Sequence, residues 1–405
     1  MRATKAWPSV HLEDLLTSKR DLTYGIVQPG SEVAGGVPIV RVRDVRNGSV
    51  STTTPLRVDP DIERAYQRSR LRGGELLVTL VGTVGETAVA GPELAGWNVA
   101  RAIAVARIKP DVGARWVTWA MKLSASTGLI AERLNTTVQA TLNLADLREV
   151  PIPLPPEPER RAIAATLGAL DDKIESNQRV VELIPALIRA KVQEALDAGV
   201  LATPVSSLGR FVNGGAYTKG ASGTGRMVIR IAELNKGPGA STVYNDIDVP
   251  EENTARHGDI LMSWSGSLGV YRWSLSEAII NQHIFKVVPN VYPEWLVFDR
   301  LDAAMGAFQA IAKDKATTMG HIQRAHLDST TIDVPPVEAL GTLNGVLDPL
   351  WRRLLSAEQE VHRLMALRDA LLPELLSGRT RVAAEALNDQ ASEEETAGGI
   401  PNTAL

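Results

Sequence analysis

The feature that most constrains this 405-residue chain is that its second half repeats its first. The segment GGELLVTLVGTVG (73–85) matches HGDILMSWSGSLG (257–269), with Gly74, Gly82 and Gly85 falling on Gly258, Gly266 and Gly269. Upstream, PIVRVRDVRNG (38–48) matches MVIRIAELNKG (227–237); downstream, LADLREVPIPLPP (144–156) matches RAHLDSTTIDVPP (324–336). The offset drifts from 189 to 184 to 180 residues, as loops of unequal length produce. Three blocks in one order point to a duplicated unit rather than to chance similarity of β-rich segments.

Each unit is followed by a heptad stripe. Ile163, Leu167, Leu170, Ile174, Val181, Ile184 and Ile188 follow steps of four and three, with Asn177 at the remaining position. The second stripe is Leu343, Leu347, Leu350, Leu354, Ala357, Val361, Leu364 and Leu371, interrupted by Arg368. Such a stripe is narrower than that of a globular helix and reads as a coiled-coil seam, in which a buried asparagine fixes register. Two ordinary core helices are the other reading. Pro158 suits a first helical turn, where a missing N–H is harmless. Pro185 is expected to kink the first helix or end it near Ile184. Asp348 before Pro349 offers an N-cap at which the second helix restarts. Both helices are therefore expected to be shorter than their seams.

Ahead of each helix the chain is strand-led. VPIVRVRDV, ELLVTLVG, AIAVARI, MVIRIAEL, DILMSWSG and HIFKVVP are short, β-branched and bounded by Gly, Pro or Asn. Helical patterns interrupt them at RWVTWAMKLSASTGLIAERL and PEWLVFDRLDAAMGAFQAIAK. The expected class is α+β, with β-rich domains at 1–150 and 201–335 and long helices within 151–200 and 336–382. An acidic tail at 383–405, containing ASEEETAGG, is expected to be disordered.

The net charge of −4 gives no support to nucleic acid as a partner, but its distribution leaves that open. Residues 1–150 carry 19 Lys and Arg against 15 Asp and Glu, whereas 336–405 carry 6 against 11. The absence of cysteine excludes a disulfide frame, a zinc ribbon and a thiol nucleophile. No run of about 18 apolar residues suggests a membrane span. MRATKAWPSVHLEDLL carries acidic residues too early for a secretory signal, so the cytoplasm is the expected location.

Motifs of catalysis are missing. There is no GxxxxGK[ST] loop, no GxGxxG between strand and helix, and no HExxH or GxSxG. The [DNS]PP[YF] tetrapeptide of amino-methyltransferases is absent, and the six histidines are scattered. The carboxylate pairs Asp171–Asp172 and Glu251–Glu252 sit in charged surroundings and read as solvated. The expectation is a non-catalytic chain with no metal site and no cofactor of its own.

From about Trp7 to Val382 the chain resembles the specificity (S) subunits of type I restriction–modification systems. The resemblance is carried by PIPLPPEPERRAIAATLGALDDKIESN, LRDALLPELLSGRTRV, TYGIVQPG…GVPIVRVRDV and the GDIL…G…G blocks. It implies two target recognition domains, each reading one half of a bipartite duplex DNA target. It also implies that the long helices pair antiparallel, setting the spacer and docking two methylation (M) subunits. Partner subunits, including restriction (R) subunits, would use S-adenosylmethionine, ATP and Mg; this chain would bind none of them. Two similar heads on stiff helices suit a split site on duplex DNA.

Candidate DNA contacts follow from chemistry and from the repeat. Arg41, Arg43 and Arg46 alternate with apolar residues, and Arg230 is the counterpart of Arg41; on a strand they would reach guanine edges or phosphates. A solvated sheet face is the other reading. The Gly82–Thr83 and Gly266–Ser267 loops would bring backbone N–H groups close to phosphates, or are simply tight turns. NTTVQAT supplies Thr136, Thr137 and Gln139; ATTMGH supplies Thr317, Thr318 and His321. Tyr24, Arg101, Gln282 and His283 complete the set. Two rival functions remain: a protein-binding adaptor with two β-rich heads on a coiled coil, favoured by net acidity, and a fused modification enzyme, disfavoured by the missing motifs.

Overall fold

The computed structural model describes residues 6–46, 48–126, 128, 141–314 and 320–382. It divides into two compact units, Met1–Asp171 with Leu367–Leu405, and Asp172–Ala366. Each unit holds one repeat together with a stretch of both long helices.

In the first unit, Leu22–Tyr24, Ile103–Ala106, Leu76–Thr79 and Thr87–Val89 form an antiparallel sheet in that order. Strand residues alternate between faces, and here both faces are buried. Leu76, Val78, Ala104 and Ala106 pack under Trp116, Val117 and Trp119 of the helix Ala114–Ser126. Leu77 and Val105 join Val40, Leu94 and Val99 on the other side. This is why ELLVTLVG reads as a near-continuous apolar run. A second sheet orders Leu56–Val58, Val37–Val40 and Asn98–Val99, with Ile39 and Val40 paired in parallel to Asn98 and Val99.

The second unit repeats the plan. Gly209–Asn213, Ile284–Pro289, Ile260–Ser263 and Gly269–Arg272 make the antiparallel sheet. The helix Glu294–Asp314 covers it with Val297, Leu301, Ala304 and Phe308. Val228 and Ile229 pair in parallel with Ile279 and Ile280, as Ile39 and Val40 do in the first head. Each head is closed by a strand pair, Ser9–His11 with Pro151–Pro153 and Leu201–Pro204 with Thr331–Val334, just ahead of a long helix.

The long helices are Glu157–Ala198 and Val337–Ser377. They pair as an antiparallel coiled coil to which the heads add side chains. In the first unit Ile163 and Leu167 share a core with Leu372, Leu375, Leu376 and Trp116. In the second, Ile184, Ile188, Val192 and Leu196 pack with Leu347, Trp351, Leu354 and Trp295. Asn177 is fully buried at its seam position; it donates to Glu360 Oε2 at 2.8 Å and accepts from Arg353 Nη2 at 2.9 Å. The start of one helix, at Ile163 and Leu167, thus shares a core with the end of the other, at Leu372 and Leu375, as the antiparallel sense requires.

Several local expectations are corrected. The helix does not end at Pro185, which lies inside it. An interior proline costs about 3 kcal/mol, and the continued burial of Ile184, Ile188 and Val192 offsets that loss. Nor does the second helix restart at Asp348, which instead pairs with Arg352 at 2.9 Å one turn on. VPIVRVRDV is a strand only to Val40, after which Val42–Asp44 is a 3-10 turn. MVIRIAEL is a strand to Ile229 and then a helix, Ile231–Lys236. Asp171 is not simply solvated: its carboxylate accepts from Trp119 Nε1 at 2.7 Å and Arg368 Nη1 at 3.0 Å. The tail 383–405 lies outside the described residues, and no described helix is long and apolar enough to cross a membrane.

Candidate nucleic-acid interface

In both heads the strand stops at an arginine whose acid lies three residues on. The Asp44 carboxylate accepts from the Arg41 backbone N–H at 2.9 Å and from its guanidinium at 2.8 and 3.0 Å. Arg41 Nη2 also donates to the Thr54 carbonyl at 2.6 Å. Arg230 repeats this with Glu233, at 3.0 Å from the backbone and at 3.0 and 2.6 Å from the guanidinium, and with the Ser241 carbonyl at 2.6 Å. The reciprocal bonding turns the chain as a capping box does. Burial alone raises the Glu233 carboxyl, but hydrogen bonds from Arg230 and Thr242 hold it below its ordinary value. Arg41 and Arg230 thus anchor loops, and neither stands on a strand. Arg43 is exposed in the 3-10 turn, and Arg46 is exposed on the short strand Val45–Arg46.

The glycine loop lies against this turn. At Gly82 a side chain would touch Val42, and at Gly266 it would touch Ile231, each the residue after the anchoring arginine. Both glycines have positive φ, 81° and 63°, which favours glycine. A buried hydroxyl locks each loop: Thr79 Oγ1 donates to the Thr83 carbonyl, and Ser263 Oγ to the Ser267 carbonyl at 2.6 Å. The Gly266 N–H donates to the Gly320 carbonyl at 3.0 Å, so that amide is not open to a phosphate. Isolated bridges repeat as well, Val81 with Thr141 and Ser265 with His321.

The turn after the parallel strand completes the frame. Ile26 bridges Ala100 in the first head and Gly215 bridges Asn281 in the second. Arg101 is exposed and makes no side-chain ion pair among the described residues. Tyr24 is 40 % exposed, and its hydroxyl accepts from the Leu144 N–H at 3.3 Å. In the second head Gln282 is exposed, with its Nε2 3.3 Å from His283 Nε2. An open cleft of about 520 Å³ brings together Arg230, Trp264, Gly266, Asn281, His283 and His321. The Trp264 ring lies 5.2 Å from that of His283, and its N–H is held by Asn213 Oδ1 at 2.9 Å.

Four residues named from the sequence therefore meet at one cleft: Arg230, Gly266, His283 and His321. Ser267 lies beside it on the exposed loop. Thr136, Thr137, Gln139, Thr317 and Thr318 lie outside the described residues. Sequence reasoning passed over Thr79, Ser263, Trp264 and Asn281. The first two were signalled by a hydroxyl ending each apolar strand; Asn281 was signalled only by its mismatch with Ala100. Among the described residues no group of three His, Asp or Glu is placed to hold a metal ion.

The chain superposes on the S subunit of a type I restriction–modification system from M. genitalium with a TM-score of 0.55 and 16 % identity, covering 93 % of this chain and 97 % of that one. Residues 5–186 match the family described as the type I restriction modification DNA specificity domain. The chain is 29 % identical over 194 residues to the type I restriction enzyme EcoBI specificity subunit of Escherichia coli. That match spans 47 % of this chain and 40 % of the relative's length. It is also 22 % identical to the MjaIX specificity subunit of Methanocaldococcus jannaschii, over 87 % of this chain and 91 % of that relative. The resemblance to the specificity subunits of type I restriction–modification systems therefore holds in sequence, and the fold agrees with it.

Proposed function

We propose that this chain is the DNA sequence-specificity subunit of a type I restriction–modification complex, each head reading one half of a bipartite duplex target. The observation that carries this reading is the duplicated frame with unlike side chains. Both heads keep the arginine–acid turn, the glycine loop and the bridged strand end. What they present from the frame differs, Ala100, Arg101 and Ala102 against Asn281, Gln282 and His283. Two readers of different half-sites need that combination. The specificity-domain match over residues 5–186 supports it.

In this reading Arg43, Arg46 and Arg101 supply phosphate or guanine contacts in the first head. Tyr24, the Gly82–Thr83 loop, Thr136, Thr137 and Gln139 add contacts to the same half-site. Gly266–Ser267, Gln282, His283, Thr317, Thr318 and His321 serve in the second. Arg41 and Arg230 act by holding the turn beneath the loop. The paired helices dock two methylation subunits and set the spacer. Those partners and restriction subunits, working in the cytoplasm, bring S-adenosylmethionine, ATP and Mg; the chain brings recognition alone.

The test is to purify the chain with its methylation partner and titrate duplex DNA at several salt concentrations. Sequence-dependent binding whose affinity falls linearly in log–log with salt is expected. Adenine methylation should require the partner and be absent with the chain alone. An assembled complex with no preference for any duplex would leave the chain as a protein adaptor.

A further inference from the structure

Among the described residues four asparagines are buried: Asn98, Asn177, Asn245 and Asn281. Three are satisfied at both ends of the side-chain amide. Asn98 donates to Glu63 and the Tyr66 carbonyl and accepts from Val99 N–H. Asn177 has Glu360 and Arg353. Asn245 donates to the Tyr217 carbonyl and accepts from Ile247 N–H. Among the described residues Asn281 makes no side-chain hydrogen bond, and its Oδ1 is a buried acceptor without a partner. It is 7 % exposed and lines the 520 Å³ cleft of the second head. His283 Nδ1, in the same wall, is likewise buried without a partner.

A buried polar group without a partner is costly, and native proteins rarely keep one. One that lines an open cleft is satisfied by what enters the cleft. A carboxamide offers an acceptor beside a donor, and rotation about its last bond exchanges the two. Adenine presents the complement on its major-groove edge, the N6 amino donor beside the N7 acceptor; guanine presents two acceptors there, and cytosine a donor. The cleft wall made by Trp264 and His283 is aromatic and suits a flat heterocycle. The residue equivalent to Asn281 in the first head is Ala100, which has no such group, so the contact belongs to one half-site only.

We propose that Asn281 reads an adenine in the half-site of the second head, pairing its amide with adenine N6 and N7. This rests on the specificity-subunit reading and names one base of its target. Neither Arg230, held by Glu233 and Ser241, nor the Gly266 N–H, held by Gly320, is open for that role.

The experiment uses the full chain assembled with its methylation subunits. The methylated motif is first read by sequencing DNA from cells that express the complex. Each adenine in both half-sites of a duplex carrying that motif is then replaced in turn by 7-deazaadenine, which lacks the N7 acceptor. One adenine in the second head's half-site should weaken binding by the wild-type complex roughly tenfold, within the range of a lost base contact. Asn281→Ala should abolish that sensitivity and relax the motif at that one position, leaving the other half unchanged. Asn281→Asp, isosteric but without the donor, should lose adenine preference there. An active Asn281→Ala complex with an unaltered motif would overturn the proposal and assign the amide to ordered water. If Asn281→Ala fails to assemble, the wild-type scan still decides, since insensitivity of every second-half adenine is equally fatal. Absence of specific duplex binding by the wild-type complex would instead refute the specificity-subunit reading itself.

Discussion

Asp171→Asn should destabilise the first unit through the charge it leaves behind. The Arg368 side chain is 5 % exposed, and one arm of its guanidinium is held by Asp171 Oδ1 at 3.0 Å. The other arms reach Asp369, which is 60 % exposed and therefore well screened. Burial alone lowers the Arg368 pKa; the hydrogen bonds to Asp171 and Asp369 reverse that and hold the cation above its ordinary value. Removing one partner of a buried pair costs about 3–5 kcal/mol. With Asp369 still in place we expect roughly half of that, about 2 kcal/mol. Lys122 feels the change as well: burial and Arg368 already hold its ammonium below the ordinary value, and Asp171 opposes them. Urea denaturation followed by tryptophan fluorescence reads the loss, with Trp119 bonded directly to Asp171. Arg368→Leu added to Asp171→Asn should recover at least half the stability, because the stranded cation is gone. A single-variant loss under about 0.5 kcal/mol, or a double variant as costly as the sum of the singles, would refute the argument.

Three other perturbations follow from the same reasoning. A Cβ on Gly25 would meet the Val99 carbonyl oxygen, and one on Gly214 the Asn281 carbonyl; Gly25→Ala should cost about 1–3 kcal/mol in a urea melt, whereas Gly35→Ala, with open space around it, should show only the milder strain of its positive φ. Glu63 is held below its ordinary value of 4.5, chiefly by hydrogen bonding from Arg70 against the opposing effect of burial. Its folded pKa lies below the unfolded one, so its contribution is present above pH ~4.5 and is lost as pH falls through the folded value; Glu63→Gln should flatten the acid limb of a stability–pH curve. Duplicating the heptad Ile174–Val180 adds about 10 Å of helix and preserves the seam phase, so methylation sequencing should show a spacer longer by up to ~3 base pairs with both half-sites unchanged; an active variant with the old spacer would show that the helices do not set the distance.

The duplication, the sheet strands and the helix pair were legible in the sequence because each rests on a period or on glycines that a turn demands. Gly82 and Gly266 mark their loops in both copies, and Leu76 to Thr79 read as a strand. The turns at Arg41 and Arg230 were not legible, because an acid three residues past an arginine looks like loop charge until both are seen to share hydrogen bonds. Pro185 misled for a different reason: local propensity argued for a break, and burial of the residues around it overrode that argument. Asp171 and Arg368 looked like solvated charge and a seam defect when each is the other's partner. Of the residues named from the sequence, Arg230, Gly266, His283 and His321 lie at the cleft of the second head. Asn281 was passed over because a search for what the copies share discards a position at which they differ, and a reader of different half-sites should vary at such positions.

The central claim, two independent readers on one chain, is tested most directly by exchanging one of them. Residues 1–150 are replaced by the corresponding head of a relative with a different target, and methylated DNA from cells carrying the chimera and the methylation partner is sequenced. The account predicts a motif in which one half is new and the other half is that of the original chain. A motif altered in both halves, or one left unchanged, would contradict it.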